Sequence, residues 1–132
     1  FSYLKSHVIE FNLDYNVFKN DYHIHFEEGA VPKDGPSAGI TIVTAILSLM
    51  KNKEISNSIS MTGEITLRGR VLPIGGLKEK LIAALANNIT KVYVPYENKK
   101  DLEDIDDEIK NKLEIVLVND YLEISKDLFW KI

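Results

Sequence analysis

The chain has 132 residues and a mass of 15.0 kDa, with 45% hydrophobic and 27% charged residues, a net charge of -4 and no cysteine. That composition suits one globular domain rather than a disordered chain, and a pI of 5.4 without a basic stripe argues against nucleic acid as the main ligand. The missing cysteine excludes disulfides, thiolate metal sites and a thiol nucleophile, and the longest apolar stretch, Ala38 to Met50, is too short to span a bilayer.

Phe1, Leu4, Val8 and Phe11 recur at helical spacing with no N-cap residue ahead of them, so the opening reads as a helix cut from a longer polypeptide. Neither a signal peptide nor a transit peptide pattern is present. Tyr22 to Phe26 alternates like a strand, and Glu27 to Pro36 reads as a loop rich in Gly and Pro. Pro36 stands where a first helical position would be, and Ala38 to Met50 supplies the turns of a buried helix. Ile59 to Leu67 and Val71 to Ile74 read as strands joined around Arg68-Gly69-Arg70. Leu77 to Asn88 is a second amphipathic helix, and the sequon Asn88-Ile89-Thr90 is read as helix-end chemistry. Lys91 to Val94 is a short strand stopped by Pro95, Glu97 to Asn111 an acidic surface helix plus loop, and Leu113 to Val118 an apolar strand. Asp120 caps a last helix running to Trp130. The alternation predicts a single α/β (α+β) domain, a mixed sheet with flanking helices.

The densest cluster of special residues runs from Glu28 to Gly39 and puts the Ser37 hydroxyl at the first turn of an apolar helix. Unpaired N–H groups and a partial positive charge there would stabilise an oxyanion, although from this segment alone a plain N-terminal serine is the better-favoured reading. A serine nucleophile needs a base. His23 and His25, two apart on a strand, suit site support better than metal ligation, because no third ligand follows at a fitting spacing. Lysine is the other option if desolvated, and Lys78 and Lys80 sit among Leu77, Leu81, Ile82, Ala84 and Leu85. On a helical wheel Lys78 lies closer to Leu81, Ile82 and Leu85, and Lys80 beside Leu77 and Ala84; the wheel does not choose between them. Arg68, Arg70 and Lys99-Lys100 are read as surface charge.

Pro32-Lys33-Asp34-Gly35-Pro36-Ser37-Ala38-Gly39, Met61-Thr62-Gly63-Glu64 and Leu72-Pro73-Ile74-Gly75-Gly76-Leu77-Lys78-Glu79-Lys80, in this order and spacing, resemble the signature of the Lon family of ATP-dependent serine proteases. The similarity runs from Tyr22 to the end and includes Pro95-Tyr96-Glu97-Asn98-Lys99-Lys100-Asp101. It implies that residues 1–132 are a Lon-type proteolytic domain truncated at its N-terminal side, with a Ser-Lys dyad of Ser37 and Lys80. Thr62 would help hold the lysine, and Asp34, His23 and His25 would support the site. Gly35, Pro36 and Ala38 would frame the nucleophile and its oxyanion, with no cofactor or metal in this domain. The phosphate-cradling pattern Gly-x-x-x-x-Gly-Lys-Ser/Thr is absent, so the resemblance assigns ATP and Mg²⁺ to an ATPase module upstream. It further implies unfolded protein substrates, a homo-oligomeric, hexameric ring and no membrane partner. A catalytically silent Lon-like module for assembly or docking is the alternative. Location is expected in the mitochondrial matrix, on the Thr41 to Ala45 run and the Tyr121 to Trp130 tail, with bacterial cytoplasm as the alternative.

Overall fold

Two hydrophobic clusters, one on each face of a three-stranded parallel sheet, organise the chain. The computed structural model describes residues 1–24 and 38–129. Helix α1 spans Ser2–Ser6 and a 3-10 turn Tyr15–Lys19; helix α2 spans Gly39–Lys51. Strands β1 (Ile59–Met61), β2 (Glu64–Ile65) and β3 (Val71–Leu72) follow, then helix α3 (Leu77–Ala86) and strand β4 (Lys91–Pro95). A 3-10 segment Tyr96–Asp104, helix α4 (Asp107–Lys112), strand β5 (Glu114–Val118) and helix α5 (Tyr121–Phe129) complete it.

The sheet order is β1-β4-β5, all parallel, with Met61 opposite Tyr93 and Tyr93 opposite Val116. Alternation along the strands sorts the side chains. Ile59, Met61, Tyr93 and Val116 join the cluster of α1, α2 and α5, which contains Leu4, Phe11, Ile40, Leu47, Tyr121 and Ile124. Val92, Val94, Ile115 and Leu117 face Leu77, Leu81 and Ala84 of α3. On the first face the Tyr121 and Thr44 hydroxyls pair at 2.6 Å, and on β4 the Tyr93 hydroxyl and Lys91 both bind Asp127 of α5. Strands β2 and β3 form a separate antiparallel pair, closed by the Thr66 N–H donating to the Arg70 carbonyl at 2.9 Å, so the expected hairpin is present.

Three sequence expectations change. The opening helix ends at Ser6 instead of running through Phe11. Asp21 to Ile24 is without regular structure, so the described part of the expected Tyr22 to Phe26 strand is not one; the rest lies outside the described residues. Strand Ile59 to Leu67 is broken at Thr62-Gly63 into β1 and β2. The last helix begins as expected, with the Leu122 N–H donating to Asp120 Oδ1 at 2.9 Å.

Helix ends are closed by asparagine where glycine is the usual choice. Asn88 holds φ 62°, and behind it the Asn88 N–H donates to Leu85 and the Ile89 N–H to Ala84, satisfying the last carbonyls of α3. Asn52, with φ 53°, does the same after α2, where the Lys53 N–H donates to Ser48. The sequon is thus helix-end chemistry. Asn88→Val is expected to cost about 1–2 kcal/mol, because a β-branched residue resists a left-handed backbone. Asn88→Gly should be close to neutral; the urea midpoints of the two variants, at equal m, check this.

Candidate active site

Both helices that could bear on catalysis open at the same edge of the sheet. Helix α2 precedes β1 and runs back along it, so its N-terminus stands at the carboxyl end of β1, where the Ile40 N–H donates to the Gly63 carbonyl at 3.1 Å. That bond satisfies one of the orphan donors of the first turn. The Thr41 hydroxyl donates to the Met61 carbonyl at 3.3 Å, fixing the same turn to the strand end. Helix α3 is anchored at the carboxyl end of β4, where Ile74 is bonded twice to Asn98, just past Pro95. In parallel sheets this edge is where ligands bind.

Thr62 sits between the two helix starts. It is buried, and its N–H donates to the Tyr93 carbonyl at 3.1 Å, extending the β1–β4 register by one residue. The alternation that sends Met61 toward α2 therefore sends Thr62 toward the α3 face, the side that carries Lys80. Among the described residues its hydroxyl makes no hydrogen bond. Gly63 follows with φ 152°, and a Cβ there would come within 2.9 Å of Val71 Cγ1, so the break in the strand depends on glycine.

The two lysines of α3 differ in environment. Leu77, Leu81 and Ala84 form the buried stripe, whereas Ile82 is 46% exposed. Lys80, one turn from Leu77 and from Ala84, is half-buried, and Lys78, one turn from Ile82, is exposed. The wheel leaves the two lysines open, and the packing separates them, because Ile82 stands in solvent. Among the described residues neither lysine forms an ion pair, and the Lys80 N–H donates to the Gly76 carbonyl at 3.2 Å to close the first turn.

Ala38, half-buried, caps α2 with φ -92° and ψ -2°. Ser37, Asp34, Gly35, Pro36 and His25 lie outside the described residues, and His23 is exposed. Of the residues read as surface charge, Arg70 pairs with Glu97 at 2.5 Å and Lys99 lies over the Tyr96 ring, 5.6 Å from its centre. Two residues that sequence reasoning did not single out are Gly63 and Asn98. The strand pattern runs across the first without a signal, and the second stands in a run of charges that reads as solvated.

Residues 1–131 match the family described as Lon protease (S16) C-terminal proteolytic domain. The chain belongs to the Lon protease family and corresponds to its C-terminal proteolytic domain. It is 59% identical over 119 residues to a Lon protease of Rhizobium meliloti (89% of this chain, 15% of that protein) and 50% identical over 131 residues to one of Mycoplasma mobile (99% and 16%). A Lon protease of the Aster yellows witches'-broom phytoplasma is 48% identical over 129 residues (97% and 16%). The chain thus spans about a sixth of the length of these relatives. They are bacterial, and nothing in them supports the mitochondrial expectation. Among the described residues no helix is long and apolar enough to cross a membrane.

Proposed function

We propose that this domain hydrolyses peptide bonds with Ser37 as nucleophile and Lys80 as general base. The observation that supports this reading is the shared edge: the helix that follows Ser37 in sequence and the helix that carries Lys80 open at the same carboxyl end of the parallel strands, with Thr62 between them.

Neutral Lys80 accepts the Ser37 hydroxyl proton as the oxygen attacks the peptide carbonyl carbon. Backbone N–H groups at the start of α2, framed by Gly35, Pro36 and Ala38, hold the oxyanion. Collapse of the tetrahedral adduct breaks the C–N bond, and the Lys80 ammonium gives its proton to the leaving amine. Lys80 then takes a proton from a water molecule whose oxygen attacks the acyl carbon, and returns it to the Ser37 oxygen as the bond from that oxygen to the acyl carbon breaks and the carboxylic acid leaves. The Thr62 hydroxyl orients the lysine, and Asp34, His23 and His25 support the surroundings. By its resemblance to the Lon family, ATP and Mg²⁺ would act in an upstream ATPase module of the whole protein, since this segment carries no phosphate-cradling pattern. Unfolded proteins are the substrates, a hexameric ring of full-length chains is the working assembly, and bacterial cytoplasm is the location.

A catalytically silent module is the other reading, and the presence of Ser37, Thr62 and Lys80 in one chain disfavours it. Ser37→Ala in the full-length protein is expected to lower degradation of an unfolded substrate by about 10⁴-fold or more while ATP hydrolysis survives. Unchanged degradation would overturn the proposal.

A further inference from the structure

Asn98 is 2% exposed and spends its whole amide on two partners. Its Oδ1 accepts from the Ile74 N–H at 3.0 Å, and its Nδ2 donates to the Ile74 carbonyl at 2.8 Å and to Asp101 Oδ2 at 2.7 Å. The two bonds to Ile74 reproduce the exchange made by a hydrogen-bonded pair in an antiparallel ladder, so they fix both the position and the rotation of that peptide unit. Asp101 in turn holds the amide in its plane.

Downstream of Ile74 only Gly75 and Gly76 separate this clamp from α3. Among the described residues a Cβ on Gly75 would meet nothing within 4 Å, and one on Gly76, with φ 69°, only the Glu79 carboxylate at 3.6 Å. Among the described residues nothing crowds the Cβ position of either glycine. The first turn of α3 is therefore located by Asn98 on one side of the two glycines and by buried Leu77 on the other. Lys80 belongs to that turn through its N–H bond to Gly76. We infer that Asn98 is a positioning residue for proton transfer, holding the start of α3 so that the Lys80 amine meets the reacting atoms. This rests on the Ser37–Lys80 reading and adds to it the group that sets the geometry.

The test compares hydrolysis of a peptide amide with burst release of p-nitrophenolate from an activated ester by the full-length protein. An amine leaving group needs a proton from the base and p-nitrophenolate does not, so a misplaced lysine penalises the amide more. Asn98→Ala is expected to lower kcat on the amide by about 10–100-fold with KM little changed, and to lower the ester burst by a clearly smaller factor. Asp101→Ala, which loosens the amide but leaves both Ile74 bonds possible, is expected to show the same amide-selective loss in milder form with ATP hydrolysis intact. It decides the matter if Asn98→Ala fails to fold. Equal losses on amide and ester, or no loss, would make Asn98 a purely structural residue and overturn the inference. Lys80→Gln in the same assays isolates the underlying reading: if it hydrolyses the amide normally, the dyad itself is wrong whatever Asn98 does.

Discussion

Lys80→Gln is expected to lower peptide hydrolysis by about 10²–10⁴-fold, the usual contribution of a positioned general base, while Lys78→Gln remains near the wild-type rate. The difference follows from burial. Both lysines occupy the first turns of α3, but Lys80, one turn from Leu77 and Ala84, is half-buried, whereas Lys78 is exposed. Loss of activity in Lys78→Gln with retention in Lys80→Gln would reverse the assignment. Hydrolysis by the wild type is also followed into alkaline solution. The fold sets the upper limit of that measurement. Burial pushes the Tyr121, Tyr93 and Tyr3 hydroxyls above their ordinary value of 10.0, and for Tyr93 the hydrogen bond to Asp127 adds to the effect. A raised folded value means that the stability gained by keeping these phenols neutral is complete below pH 10.0 and is lost as the pH rises through the folded values. A decline in rate above about pH 10 therefore reports unfolding, and circular dichroism at each pH checks this.

What could be read directly from the sequence is what local chemistry controls. Apolar periodicity placed α2, α3 and α5 to within a few residues, and Asp120 capped the last helix as its side chain allows. The parallel strands β4 and β5 were legible as short apolar runs because both of their faces are buried. The misreadings have tertiary causes. The wheel leaves Lys78 and Lys80 open because spacing does not say which apolar residues are core, and in the packed domain α3 rests on Val92 and Val94 with Ile82 in solvent. Glu97 to Asn111 reads as a surface helix plus loop; the structure has a 3-10 run up to Asp104 and then α4, and the Asn98 side chain bonds Ile74 across 24 positions. For the site, residue types and spacing named Ser37, Thr62 and Lys80, and no periodicity could show that α2 and α3 open at one sheet edge. That fact depends on two long-range anchors, the backbone bond from Ile40 to Gly63 and the Asn98 side-chain amide on the Ile74 peptide unit.

The first of those anchors carries the second large effect. Gly63→Ala is expected to destabilise the domain by about 1–3 kcal/mol, because φ 152° is a conformation that residues with a Cβ adopt only under strain. Peptide hydrolysis should fall further than stability explains, by about 10²-fold, since the Gly63 carbonyl is the acceptor that seats the first turn of α2 and a displacement near 1 Å is enough for such a loss. Two causes are separable here, the backbone angle and the collision of the new Cβ with Val71 Cγ1 at 2.9 Å. Val71→Ala in the Gly63→Ala background removes the collision and leaves the angle. If the angle dominates, as the glycine-only backbone requires, the double variant regains little activity and adds the cost of an emptied core position at Val71. Full recovery of hydrolysis in the double variant would show instead that α2 is displaced by side-chain contact alone, and that the carbonyl of residue 63 can seat the helix from an ordinary backbone conformation.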